Sequence, residues 1–107
     1  MLDVAVHELD AWLRDPSRAK PLLLDVREPW EYALCRIDGS LNVPMRDLPG
    51  QMEALPRDRE TVVICHHGVR SLMAGRFLEH AGFGMIYNLQ GGVAAWASEV
   101  DPAMPTY

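Results

Sequence analysis

Residues 62–71 read VVICHHGVRS, a short apolar run that ends on a cysteine. The segment 61–64 is the clearest β-strand of the chain, because β-branched residues follow one another there. A glycine lies three residues after the cysteine, and from 70 to 81 the apolar residues recur at helical spacing. The stretch therefore predicts a buried strand, a tight loop and a helix, the unit from which α/β folds are built.

The rest of the chain alternates in the same way. Further helices are predicted at 6–14, 28–34, 47–55 and 93–100, and further strands at 22–24, 40–43 and 85–89. Apolar strands without alternation are typical of a parallel sheet covered on both faces. Sites in such folds lie beyond the carboxyl ends of the strands. Residues 25–27, the cysteine loop and residues 90–92 should meet there.

Length and composition limit what kind of protein this can be. We expect one domain spanning residues 1–107, because 107 residues leave no room for a second ordinary core. The net charge of −5 argues against a nucleic-acid partner. No apolar run reaches the roughly 18 residues needed to cross a bilayer, so no membrane partner is expected. The start of the chain does not resemble a signal peptide, and the cytoplasm is the expected compartment.

Two cysteines are too few for a disulfide scaffold or for a zinc site made of thiolates. Spacing alone leaves a single disulfide open, but two free thiols are favoured in a reducing compartment. A resolving role for Cys35 has no support from its spacing to Cys65.

The residues around Cys65 suit a nucleophile, which a thiol becomes only as its thiolate. Loop amides and the positive end of the next helix stabilise such an anion. Gly68 permits the backbone turn that brings these amides together. We predict Cys65 as the catalytic residue, within a substrate-binding loop formed by His66, His67, Gly68, Val69 and Arg70.

The length of the loop indicates the chemistry. Four residues separate Cys65 from Arg70, whereas a phosphatase of the Cys-x5-Arg type needs one more to wrap a phosphate. The shorter loop suits one sulfur atom beyond the thiolate, a persulfide. A phosphatase or arsenate reductase is therefore disfavoured.

Four segments together resemble a single-domain rhodanese: LLLDVREPWEY, RIDGSLNVP, VVICHHGVRS and NLQGGVAAW. The resemblance covers nearly the whole chain and implies a rhodanese-like α/β fold with about five parallel strands. It also implies a sulfurtransferase without metal or cofactor. Cys65 would take a sulfane sulfur from a donor such as thiosulfate, release sulfite, and pass the sulfur to cyanide, a thiol or a protein.

The departures from the family pattern lie outside the catalytic loop, at Cys35-Arg36 and Ser40. The loop also lacks the Gly-Val-Thr ending of mercaptopyruvate enzymes, which favours thiosulfate or a persulfide as the small anionic donor. The last twelve residues resemble the tails of rhodanese domains fused to adenylyltransferases, a hint of a protein acceptor. We expect a monomer. The alternative function is a carrier that delivers persulfide sulfur to one protein partner with little turnover.

The remaining candidates have supporting or structural interpretations. Asp25 and Arg27 are expected to pair at a strand end, or Arg27 to face the site. Ser71, at the start of its helix, is expected to be a hydrogen-bonding residue of the first turn rather than a catalytic residue. One of His66 and His67 should be solvated. The three tryptophans are expected in or near the core, and two further histidines on the surface: Trp12, Trp30, Trp96, His7 and His80.

Overall fold

A computed structural model describes all 107 residues of the chain. Five parallel strands form one sheet in the order β1-β5-β4-β2-β3. The strands are β1 (Leu2–Val4), β2 (Leu22–Asp25), β3 (Leu41–Asn42), β4 (Thr61–Ile64) and β5 (Ile86–Leu89). The predicted fold class, α/β with a central parallel sheet of five strands, is confirmed.

Five helices cover this sheet. They are α1 (Val6–Arg14), α2 (Pro29–Leu34), α3 (Leu48–Gln51), α4 (Val69–His80) and α5 (Gly92–Glu99). None of them is long and apolar enough to cross a membrane.

The side chains of β4 show how the sheet divides the core. Val62 and Ile64 belong to one apolar cluster, which also contains residues of α1 and α5. Val63 and Cys65 belong to a second cluster, which contains residues of α4. Because successive side chains of a strand point to opposite faces, the two clusters lie on opposite sides of the sheet. All four residues of β4 are buried, as expected for a central parallel strand.

The register aligns the ends of three strands. Asp25 lies beside Ile64, and Val63 beside Asn88. Residues 25–27, 65–70 and 90–92 therefore follow neighbouring strands at the same edge of the sheet, where the strand pattern predicted that they would meet.

The structure differs from the sequence-based predictions at three places. β1 was not predicted, because only three residues pair with β5 and two of them are exposed, which leaves no periodic pattern. The helix predicted at 47–55 is one four-residue helix between two 3-10 turns. Trp30 is 62% exposed and lies outside the core.

Candidate active site

Cys65 directly follows β4 and is only 1% exposed. Two groups hold its sulfur. The Gly68 amide donates a hydrogen bond to Sγ at 3.0 Å, and the Ser71 hydroxyl lies 3.2 Å from it. The thiol is thus placed by its strand on one side and by the start of α4 on the other.

Helix α5 orients the peptide groups of the loop. The Val93 amide donates to the Cys65 carbonyl at 2.9 Å, and the Ala94 amide donates to the His66 carbonyl at 3.0 Å. In a planar trans peptide the N–H points away from the C=O, so the amides of His66 and His67 point away from α5 and into the loop. Neither amide has a protein acceptor. Two unpaired donors therefore lie beside the sulfur-bearing residue.

Two glycines permit this arrangement. Gly92 has a φ of +58°, and a Cβ there would collide with the Cys65 carbonyl oxygen and come within 2.5 Å of the His66 carbonyl oxygen. Gly68 has a φ of +102°, a left-handed conformation that residues with a Cβ rarely adopt. The close approach of α5 to the loop therefore requires glycine at its first position.

Ser71 connects Cys65 to β5. Its hydroxyl donates to Asn88 Oδ1 at 2.5 Å, and Asn88 Nδ2 in turn donates to the Gly68 carbonyl at 3.3 Å. Ser71 carries a single hydroxyl proton, so it can donate either to Asn88 or to the Cys65 thiolate. The Ser71 hydroxyl lies 3.2 Å from the Cys65 sulfur, so it can donate a hydrogen bond to the thiolate when that forms.

Val69 and Arg70, the last two residues of the predicted loop, are the first two of α4, and Arg70 forms an ion pair with α2. Its two terminal nitrogens donate to the carboxylate oxygens of Glu31 at 2.6 and 2.8 Å. The Arg70 hydrogen bonds, aided by one from Tyr107, lower the pKa of Glu31 to about 2. The Glu31 carboxylate also raises the pKa of Arg70, with a smaller contribution from the nearby Cys65 sulfur. A guanidinium charge therefore lies near the sulfur with its terminal nitrogens already bonded.

The predicted pair of Asp25 and Arg27 forms below the site. Arg27 is fully buried and donates to both oxygens of Asp25, at 2.7 Å in the shortest bond. It also donates to the Cys35 carbonyl at 2.6 Å and to the Tyr107 hydroxyl at 3.0 Å. These bonds fasten the end of β2 to α2 and to the end of the chain, and none of them reaches Cys65.

The two histidines of the loop have different surroundings. His67 is exposed, whereas His66 is half-buried and stacks on Tyr107 with ring centroids 3.9 Å apart. Burial lowers the pKa of His66, and the neighbouring charge of His67 lowers it further. The protonated form of His66 is therefore less favourable than that of an exposed histidine, and the solvated member of the pair is His67.

Three residues of the site were not predicted from the sequence: Glu31, Asn88 and Tyr107. Glu31 lies in the segment LLLDVREPWEY as the third residue of α2, and a buried carboxylate there could have been matched to the loop arginine. No sequence signal separated Asn88 from other strand residues. Cys35 and Cys65 are both free thiols and belong to different core clusters.

The rhodanese-like domain family matches residues 5–99 of this chain. The chain belongs to that family. A sulfurtransferase from Allochromatium vinosum is 42% identical over 76 residues, which cover 71% of each protein. The thiosulfate sulfurtransferase GlpE of Pseudomonas fluorescens is 35% identical over 72% of this chain and 71% of its own length.

A larger relative and a solved structure agree with this assignment. The probable adenylyltransferase/sulfurtransferase MoeZ of Mycobacterium tuberculosis is 39% identical over 97% of this rhodanese-like chain, which spans only 26% of the length of MoeZ. A crystal structure of a rhodanese-related protein from Thermoplasma volcanium superposes with a TM-score of 0.82. It is 31% identical and covers 94% of both chains. The three relatives described by sequence are thus sulfurtransferases, one of them a probable one that is also an adenylyltransferase.

Proposed function

We propose that this rhodanese-like protein transfers a sulfane sulfur from thiosulfate, or from another persulfide donor, to a thiophilic acceptor through a persulfide on Cys65. One observation carries the proposal. The sulfur of Cys65 is held at the carboxyl edge of the sheet by the Gly68 amide and Ser71, beside the inward amides of His66 and His67. Such a ring of donors stabilises charge on a sulfur atom and on one added sulfur.

The first step is an attack by the Cys65 thiolate on the outer sulfur of thiosulfate. A Cys65–sulfur bond forms, the bond between the two sulfur atoms of thiosulfate breaks, and sulfite leaves with the electron pair. In the second step an acceptor such as cyanide attacks the outer sulfur of the persulfide. The Cys65–sulfur bond breaks and its electron pair returns to Cys65 as thiolate. This is covalent catalysis that divides one transfer into two displacements.

The loop favours an anionic donor in spite of the net charge of −5. Unpaired amides of His66 and His67 supply partial positive charge, and the Arg70 guanidinium adds a full charge near the sulfur. Glu31 offsets part of that charge through its two hydrogen bonds to Arg70. The site is therefore better suited to a small anion that binds to backbone amides than to an anion that requires an unpaired arginine. Chemistry on a free thiol also suits a reducing compartment such as the cytoplasm.

Intact mass after treatment with thiosulfate tests the proposal. We expect the protein to gain the mass of one sulfur atom, to lose it on addition of cyanide, and to show no gain in the Cys65→Ser variant. The Cys35→Ser variant is the matched control and should gain the sulfur as the unaltered protein does. An unmodified mass after thiosulfate would exclude this donor, and a gain that persists without Cys65 would exclude the mechanism.

The second candidate is a carrier that delivers the sulfur to a particular protein. It is favoured by the similarity to MoeZ, a probable adenylyltransferase/sulfurtransferase in which the matching region is one part of a longer protein: the match covers 97% of this chain and 26% of MoeZ. Steady-state thiocyanate production separates the two functions. Continuous turnover supports the enzyme, whereas a single stoichiometric release of thiocyanate supports the carrier.

A further inference from the structure

The segment that follows α5 returns to the active-site loop. Met104 is buried in the core cluster between α1 and α5, and its amide bonds to the Asp101 carbonyl at 3.0 Å. The next residues, Pro105 and Thr106, are exposed. No backbone hydrogen bond fastens Pro105, Thr106 or Tyr107 to the rest of the domain. Beyond Met104, the segment is held by the side chain of Tyr107.

That side chain spans the two ends of the loop. Its ring stacks on His66, the first residue after Cys65, at 3.9 Å and an interplanar angle of 13°. Its hydroxyl donates to Glu31 at 2.6 Å, and Glu31 is the residue that binds Arg70 at the last position of the loop. The ring also packs against Trp30 in a T-shaped arrangement, with the two ring centroids 5.7 Å apart. The side chain of Tyr107 is thus fixed between the first residue after Cys65 and the carboxylate that binds Arg70, and the residue remains 37% exposed.

We propose that Tyr107 is a specificity-determining residue that selects sulfur acceptors by size. The proposal rests on the sulfur transfer proposed above. A small acceptor reaches the Cys65 persulfide with the tyrosine in place, whereas a bulky thiol must first displace it. Displacement breaks the hydroxyl's bonds to Glu31 and Arg27 and the stacking on His66. Since the backbone of residues 105–107 makes no hydrogen bonds, it can move without breaking secondary structure.

The same chemistry operates for both classes of acceptor. The carbon of cyanide or the sulfur of a thiolate attacks the outer sulfur of the Cys65 persulfide, forms a new carbon–sulfur or sulfur–sulfur bond, and leaves the electron pair of the old bond on Cys65. Cyanide becomes thiocyanate, a thiol becomes a persulfide, and no oxidant or reductant is consumed. Only the passage to the sulfur distinguishes cyanide from a bulky thiol.

The test measures access to Cys65 with two maleimides that share one reactive group, N-ethylmaleimide and N-(1-pyrenyl)maleimide. Peptide mass mapping restricts the rates to the Cys65 adduct. The variants are Tyr107→Phe, which keeps the ring, and Tyr107→Ala, which removes it. Tyr87→Phe is the matched control, because it also deletes a hydroxyl bonded to a glutamate, Glu60. No sulfur donor is used, so absence of the persulfide would refute the proposed function without changing this result.

The quantity compared is the ratio of the pyrenyl rate to the ethyl rate. Tyr107→Phe removes both hydrogen bonds of the hydroxyl, to Glu31 and to Arg27. Because each bond to a charged group is worth about a factor of ten in the open population, the ratio should rise by at least about tenfold. Tyr107→Ala should raise it at least as much, and Tyr87→Phe should leave it unchanged. A loop that has merely loosened would accelerate both reagents equally. An equal acceleration, or an unchanged ratio in Tyr107→Ala, overturns the proposal.

Discussion

Replacement of Glu31 by glutamine should remove a pH-dependent part of the stability of the domain. The carboxylate is 5% exposed and accepts two hydrogen bonds from Arg70 and one from Tyr107. The substitution keeps the volume of the side chain and removes its charge. It therefore tests the ion pair that joins α2 to the active-site loop, without opening a cavity.

The magnitude follows from the titration of the carboxyl group. Its pKa falls from the ordinary 4.5 to about 2, chiefly through the hydrogen bonds from Arg70. At about 1.36 kcal/mol per pKa unit this difference corresponds to about 3 kcal/mol. Because the side chain of Arg70 is 37% exposed, solvent screening reduces the expected value to about 2 kcal/mol. A carboxyl whose pKa is lowered by folding stabilises the protein above pH 4.5, and this stabilisation is lost as the pH falls towards 2.

Urea unfolding between pH 3 and pH 6.5 measures this effect. The free energy of unfolding should be about 2 kcal/mol lower in Glu31→Gln at pH 6, and more than half of that difference should have disappeared at pH 3. Glu53→Gln is the matched control. Glu53 pairs with Arg57 at 3.4 Å with its side chain 79% exposed, so its loss should cost less than about 0.5 kcal/mol. The reasoning is refuted if Glu31→Gln keeps the pH dependence of the unaltered protein.

Four further outcomes are expected at the loop. Gly92→Ala should displace the loop and abolish persulfide formation, because the added Cβ would collide with two loop carbonyl groups. The measurement is intact mass after thiosulfate treatment. Gly84→Ala is the control and should match the unaltered protein, since a Cβ there would meet nothing within 4 Å. Gly68→Ala should lower the free energy of unfolding by about 1–2 kcal/mol in urea titrations, because of its left-handed backbone; an equal midpoint would contradict this. Ser71→Ala should slow alkylation of the active-site thiolate about tenfold at constant pH, through loss of one donor, and an unchanged rate would show that the hydroxyl does not stabilise the anion. The His66 resonances should titrate below the ordinary 6.5 in an NMR pH series, since burial lowers its pKa; a midpoint above 6.5 would contradict the stacked, half-buried ring.

The central part of the fold could be predicted because its signals are local. β4 is a run of four buried β-branched residues, three of them apolar, and α4 follows it with apolar residues at helical spacing. Such patterns depend on neighbours within a few positions. β1 could not be predicted in this way, since its three residues become a strand only by pairing with β5, more than eighty residues later. Trp30 was expected in or near the core, because tryptophan side chains are usually largely buried. This was wrong, since Trp30 lies on the outer face of α2 and is 62% exposed.

Local residue patterns are enough to predict the strand, the candidate nucleophile and the length of the loop, and with them the class of chemistry proposed here. These features are encoded in ten consecutive residues, from Val62 to Ser71. The groups that surround the sulfur follow instead from the packing of distant segments. Glu31 meets Arg70 across 39 positions of the chain, and Tyr107 meets Glu31 across 76. Contacts at such separations depend on how the helices pack on the sheet, and no local pattern of residue types specifies them.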